Sequence, residues 1–304
     1  MSHPIIHPSS DGIIDRLAQV FRSGKAYRSQ SHWLLFVCGG PTGPDDDSLR
    51  KRFIEFAGDE LPEFRVFLSE TAAKDLTRSR QPKFVNLAIF EKLLATVADC
   101  VVLFVESPGS QAELGYFSNA EGAIDNLLVV NDLCFQTRES FINNGPIHLI
   151  NGRSNFSPAI HLDSANLPIE FNRIKERLGR FEKRYRERFL LVTIDELNHQ
   201  DRLFLILEII KLFCVIDVHG ILHVLQRWCG ECDEEEVRRL ISILLATKYV
   251  RRLKSDTRSL TVSTGVKTFL DLEKFSFGEF RLELAQHYKY LNPDVYGLLE
   301  EAST

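Results

Sequence analysis

Two runs of uninterrupted apolar residues constrain this chain most. They are Trp33–Cys38 (WLLFVC) and residues 100–105 (CVVLFV). A strand with one wet face alternates apolar and polar positions, whereas one with no polar position is buried on both faces. Such strands belong to parallel sheets, whose crossover helices supply the two covering layers. The intervening sequence agrees. Residues 64–68 and 126–130 predict further strands. Residues 48–56, 84–97 and 112–120 predict helices, with Leu87, Phe90, Leu94 and Val97 spaced by three or four. A short helix is expected over residues 12–23. The β-α-β order predicts an α/β fold with a doubly wound parallel sheet.

The second half has a different pattern. Residues 167–188 read as one long charged helix, followed by helices over 203–215, 218–226 and 234–246. Two strand-like runs, 249–253 and 260–262, flank the turn-rich Lys254-Ser255-Asp256-Thr257. Three helices and a two-stranded ribbon outline a winged helix-turn-helix, with residues 275–304 as a terminal helix and tail. The expected organisation is a first domain over 1–165, a basic linker helix over 166–200 and a mostly helical winged-helix-like domain over 201–304.

Charge is unevenly spread. Residues 1–165 carry 15 Lys/Arg and 20 Asp/Glu, residues 166–304 carry 22 of each, and residues 173–188 hold eight basic and three acidic side chains. Arg173, Lys175, Arg177, Arg180, Lys183 and Arg184 are therefore candidate nucleic-acid contacts. A solvated helix face is the other reading of such a run. Residues 233–236 (DEEE) would repel DNA at the start of a recognition helix. Arg238, Arg239, Lys248, Arg251, Arg252 and Lys254 are the alternative contacts in that half.

Several classes are excluded or disfavoured. No run of about 18 apolar residues exists, so no membrane span is expected. The first residues do not read as a secretory signal, which points to the cytoplasm. Six cysteines fit neither a disulfide framework nor a strong metal signature; Cys38, Cys100 and Cys134 are expected as buried thiols. Trp228-Cys229-Gly230-Glu231-Cys232 has the look of a redox motif but follows a helix rather than a strand. His219, His223, Cys229 and Cys232 have a spacing outside the common zinc patterns, so no metal site is assigned.

Chemistry is expected at the carboxyl ends of the parallel strands. One such end is Cys38-Gly39-Gly40-Pro41-Thr42-Gly43-Pro44, whose glycines would let backbone N–H groups approach a phosphate or ribose. A simple tight turn is the other reading. The second is ESPGSQAELGYFSN over 106–119, in which Glu106 ends a strand and Glu113 falls near a helix start. Paired carboxylates suit N-glycosidic cleavage, one at the anomeric carbon and the other managing the leaving base's proton. Ser110-x-x-Glu113 is equally the spacing of a capping box.

Three stretches in order, FVCGG (36–40), ESPGSQAELGYFSN (106–119) and SFINNG (140–145), resemble the nucleoside 2-deoxyribosyltransferase-like superfamily. Together they look closer still to effector proteins of retron anti-phage systems that carry such a domain. The resemblance covers about residues 30–150 and implies a deoxyribosyltransferase-like, Rossmann-like sheet. It implies Glu113 as nucleophile and Glu106 as the strand-end acid facing the base, where ordinary members tend to have Asp. Gly39, Gly40 and Ser110 would border the substrate. Asn143 would contact the sugar, in some members from a neighbouring subunit; Asn143-Asn144-Gly145 is also a natural turn.

The implied activity is an effector toxin that cleaves the N-glycosidic bond of NAD or a nucleotide, with that molecule as substrate and no separate cofactor. Its implied partners are a reverse transcriptase and its RNA-linked DNA, in an oligomeric complex. A nucleoside salvage transferase, or a non-enzymatic regulator that senses a nucleotide and binds nucleic acid, are the alternatives.

Overall fold

A computed structural model describes residues 3–29, 32–78, 86–180, 187–266, 269–273 and 275–303. The chain forms two compact units, His32–Lys183 and Met1–Ser31 together with Arg184–Thr304. The N-terminal segment contributes helix α1 (Asp11–Arg22) and strand β1 (Ala26–Arg28) to the second of these.

The His32–Lys183 unit runs β2 (Trp33–Cys38), α2 (Leu49–Glu60), β3 (Phe64–Phe67), α3 (Ser69–Arg78), α4 (Leu87–Val97), β4 (Cys100–Phe104) and α5 (Pro108–Phe117). It continues with β5 (Leu127–Asp132), α6 (His148–Arg153), β6 (Ile160–Leu162) and α7 (Leu167–Leu178). The five strands form a parallel sheet in the order β3-β2-β4-β5-β6. The order reverses direction between β2 and β4, and their carboxyl ends therefore flank the crevice where open α/β sheets take ligands.

Both apolar runs are buried throughout, apart from the partly exposed Trp33. Leu35 and Val37 of β2 and Cys100, Val102 and Phe104 of β4 share a core with Phe53 of α2 and Phe171 and Ile174 of α7. Phe53, Phe104 and Phe171 meet ring to ring there, with centroids 5.3 to 6.5 Å apart. Leu34, Phe36 and Val101 are buried on the alternate positions, and α4 and α5 contact β2 and β4. Asp99, 2% exposed, accepts the Leu34 N–H at 2.8 Å and so ties β2 to the start of β4.

Three local expectations change. The helix after β4 starts at Pro108, ahead of the expected span of 112–120. Ser107 is its N-cap, and proline at the first helical position needs no N–H partner. The charged helix ends at Leu178 before Gly179, whereas Arg188 forms an isolated bridge with Tyr27; Lys183 and Arg184 lie outside the described residues. Cys134 is exposed, while Cys38 and Cys100 are buried.

The second unit continues with α8 (His199–Phe213), α9 (Val218–Cys229), α10 (Glu234–Ala246) and the strands β7 (Val250–Arg252) and β8 (Leu260–Val262). The last two pair antiparallel, which gives the expected three helices and ribbon. Strand β9 (Leu270–Leu272) pairs antiparallel with β1, a pairing the sequence reading did not contain. The terminal segment is two helices, α11 (Phe277–Leu291) and α12 (Pro293–Ser303). The N-terminal segment is held within this unit by Trp228 Nε1 donating to the Ile14 carbonyl at 2.9 Å and by His3 Nε2 at 3.0 Å from the Val215 carbonyl. Among the described residues, no helix is long and apolar enough to cross a membrane.

Candidate functional site

The residues that end β2 and β4 meet. Glu106, two residues beyond β4, turns its carboxylate onto the glycine loop after β2. Its Oε1 accepts the Gly40 N–H at 2.8 Å and the Arg50 N–H at 3.0 Å, and its Oε2 accepts the Leu49 N–H at 2.7 Å. Leu49 and Arg50 open α2, so Glu106 occupies the anion-favouring end of that helix. The donors that the sequence reading offered to a phosphate, at Gly40 and the helix start, are thus taken by a side chain of the protein itself.

This closeness explains the glycines. Gly39 has φ +150, and a Cβ there would lie 3.0 Å from Glu106 Oε1 and from the Cβ atoms of Arg50 and Phe104. A Cβ on Gly40 would lie 2.8 Å from Ser48 Cβ. Only hydrogen fits at either position.

Ser110 is fully buried and serves the helix start. Its Oγ accepts from the N–H groups of Ser107 at 2.9 Å and Glu106 at 3.0 Å, and donates to the Ser107 carbonyl at 2.9 Å. Ser107 and Ser110 form the capping box, with Ser107 Oγ accepting the Ser110 N–H at 3.1 Å. Glu113 has no part in it. It falls in the second turn of α5, where the dipole at the helix start no longer favours its ionised form.

Glu113 instead has a buried Oε2 with no hydrogen-bond partner. Desolvation, then the charge of Glu91, raises its carboxyl from 4.5 to about 7; Arg50 opposes this and Glu70 adds to it. Cys38, at the end of β2, has its thiol pushed well up by burial, with Glu113 and Glu91 as the next causes. An unpaired buried carboxyl whose proton is exchangeable near neutrality is a recurrent feature of catalytic sites.

Three residues that the sequence reading missed shape this environment. Arg50, 7% exposed, donates through Nε to the Val37 carbonyl at 3.0 Å, through one terminal nitrogen to the Gly40 carbonyl at 3.2 Å, and through the other to Glu70 at 2.9 Å. Glu70, just past β3, also accepts from the Thr42 hydroxyl at 3.2 Å. Burial pushes its carboxyl up, but the Arg50 charge and hydrogen bonds outweigh that and hold it below the usual range. Glu91 is 8% exposed on α4, and desolvation raises its carboxyl against a hydrogen bond from Ser69. The Arg50 charge thus opposes the rise of the Glu91 and Glu113 carboxyls, and its guanidinium pairs with Glu70. A signal for Glu91 was present: it lies three residues before Leu94 and four after Leu87, an acid on an otherwise apolar helical stripe.

Asn143 is not joined to this cluster by a hydrogen bond. Its Nδ2 donates to the carbonyls of Phe135 and Arg138, each at 2.7 Å, and its N–H to Ser140; its Oδ1 is buried without a partner. It begins a π-helical turn, Asn143–Ile147, where the sequence suggested a plain turn.

Much of the basic stripe is engaged within its own unit. Arg173 bonds Glu170 and the His161 carbonyl, Lys175 pairs with Glu60 at 2.7 Å, and Arg177 donates to the carbonyls of Phe156 and Pro158 at 2.5 and 2.6 Å. Arg180 is exposed. In α10, Arg238 and Arg239 pair with Glu234 and Glu235 one turn back, and Glu236 takes Arg202 at 2.7 Å. Burial pushes the Cys229 thiol up to about 12, which makes it a poor nucleophile. Among the described residues, no three His, Cys, Asp or Glu side chains are grouped to hold a metal.

The family model described as STM3845 retron effector protein matches residues 46–252, more than half of the chain. The chain belongs to that retron effector family. As an effector it is also similar to two curated relatives from Escherichia coli. It is 34% identical over 116 residues to the candidate ribosyltransferase/DNA-binding protein of retron Ec86, covering 38% of this chain and 36% of the relative. It is 32% identical over 121 residues to the protein of the same description from retron Ec73, covering 40% and 38%. Each match spans little more than a third of the relative's length. The matched family region contains Glu106, Glu113, Arg50, Glu70 and Glu91 of the effector's sheet unit, and α8, α9, α10 and β7 of the other unit.

Proposed function

We propose that this retron effector is an N-glycosidase of the deoxyribosyltransferase-like type, acting on NAD or a nucleotide through Glu113. The observation that carries the reading is the buried, unpartnered Glu113 oxygen on α5, the helix that directly follows β4 and Glu106. In its ionised form that oxygen attacks C1′ of the ribosyl group as the C1′–N bond breaks, and the base leaves with the bonding electron pair. Water then attacks the ribosyl ester, so that the sugar product retains its configuration. With its carboxyl raised to about 7, Glu113 takes up and gives off its proton near neutral pH. A cationic base, such as nicotinamide in NAD, both favours the ionised form and leaves without an added proton.

In this reaction Glu106 is a positioning group. Its three backbone N–H bonds hold the glycine loop against α2, and Ser110 fixes the turn that carries it. Asn143 is assigned to the sugar on resemblance alone. The names of the two relatives support ribosyl transfer and DNA binding as the activities to seek. We assign the α8–α10 helices and the β7–β8 ribbon as a winged-helix-like module for nucleic acid, and exposed Arg180 of the sheet unit as a separate phosphate contact. A reverse transcriptase and its RNA-linked DNA are the proposed partners of a cytoplasmic, oligomeric complex.

The test is to incubate the purified protein with NAD, nucleotides and nucleosides and to measure free base. Release of nicotinamide or base by the native chain, lost in Glu113→Gln with the fold retained, is the expected result. Turnover of nucleosides alone would favour salvage. No turnover with the partners present would favour a nucleotide-sensing regulator.

A further inference from the structure

The turn that joins β7 to β8 is occupied by the protein's own C-terminal helix. Glu301 of α12 points its carboxylate at that turn. Oε1 accepts the Lys254 N–H at 2.5 Å, and Oε2 accepts the Ser255 N–H at 3.3 Å and the Ser255 hydroxyl. The Arg251 guanidinium donates to the Glu301 backbone carbonyl at 2.8 Å. Two successive backbone N–H groups and a hydroxyl converging on one anion form the kind of nest that binds phosphate oxygens. The surrounding sequence, Arg251-Arg252-Leu253-Lys254-Ser255-Asp256-Thr257-Arg258, holds four basic residues and one acid.

We propose that the Lys254–Ser255 turn is a binding site for a backbone phosphate of DNA, and that Glu301 is an internal mimic which masks it. The proposal rests on the reading of this unit as a nucleic-acid module and adds the contact point and its control. A carboxylate resembles a phosphodiester in presenting two oxygens with one negative charge. The Ser255 hydroxyl and the Lys254 N–H hold the Glu301 carboxyl below its usual range, so the masking anion stays charged at neutral pH. The contact is at the surface and replaceable, since exposed polar contacts of this kind are individually weak. DNA therefore gains the turn when α12 gives it up, and a partner that binds α12 would open the site.

Fluorescence anisotropy with a labelled DNA duplex tests this on the full-length protein. Glu301→Gln is compared with Glu300→Gln, which removes the same charge one residue away on the exposed side of α12. Glu301→Gln should bind about threefold to tenfold more tightly than native protein, with a salt slope steeper by about one phosphate contact, and Glu300→Gln should change affinity less than twofold. Adding Ser255→Ala to Glu301→Gln should remove most of the gain. Thermal melts confirm that each variant is folded. Equal affinity of native protein and Glu301→Gln overturns the masking while leaving DNA binding in place, and an equal gain in Glu300→Gln overturns it as bulk charge. In amide NMR of Glu301→Gln, Lys254 and Ser255 should shift with the duplex. Shifts with inorganic phosphate and none with DNA would make the turn a free-phosphate site and overturn the proposal. Absence of DNA binding in every variant would overturn the nucleic-acid reading itself, and this proposal with it.

Discussion

Glu113→Gln should stabilise the sheet unit at alkaline pH and not at acid pH. A carboxyl raised in the folded state prefers its neutral form there, so the folded chain keeps a proton that the unfolded chain has already lost. Stability then falls as pH rises from about 4.5 through about 7 and stays reduced above it. The rise from 4.5 to about 7, at about 1.4 kcal/mol per pH unit, bounds the penalty at about 3.5 kcal/mol. The side chain is partly open to solvent, which reduces a realistic figure to about 1–2 kcal/mol. Glutamine has no proton to lose and escapes the penalty. Because the chain has two units, the readout should be local: hydrogen exchange of peptides from β2 and β4, followed against urea at pH 5 and pH 8. The expected result is a gain of about 1–2 kcal/mol for the variant at pH 8 and a clearly smaller gain at pH 5. The same difference at both pH values would refute the argument, because it would mean that Glu113 titrates alike in the folded and unfolded chain.

Three further expectations follow from the same cluster. Glu91→Gln removes a charge that opposes Glu113 ionisation, so the acid limb of the pH–rate profile for base release should move down by about half to one pH unit; an unmoved limb would detach Glu91 from the nucleophile. Arg50→Met strands the Val37 and Gly40 carbonyls and leaves Glu70 without its buried partner, and denaturant titration should show a loss of about 3 kcal/mol. Gly40→Ala forces a methyl group against Ser48 and Glu106 and should cost about 1–3 kcal/mol in the same titration, with base release impaired in the folded fraction.

What could be read from the residues follows from what burial does to a pattern. WLLFVC and CVVLFV were legible as strands because covering both faces removes every polar position, and the sheet order then places Gly39, Gly40 and Glu106 together. The start of α5 was misread for a local reason. Ser110-x-x-Glu113 competes with Ser107-Pro108, and serine before a first-position proline is the stronger start signal. That choice decided whether Glu113 was a cap or a free carboxyl. Gly179 likewise marked the end of α7, but the run of charge on both sides suggested continuity. Arg50 and Glu70 were out of reach, because a half-buried ion pair between the start of one helix and the start of another leaves no periodic trace.

The antiparallel pairing of Ala26–Arg28 with Leu270–Leu272 has a consequence for synthesis and for editing of the gene. During translation the leading strand meets the bridge at Arg188 only after some 160 residues more, and its ladder partner β9 only after some 240, whereas every strand of the sheet unit has its neighbours before either. The sheet unit can therefore ripen while the half assigned to nucleic acid is still incomplete. A deletion of the opening 31 residues would wound the far end of the protein and spare the sheet that directly follows the cut.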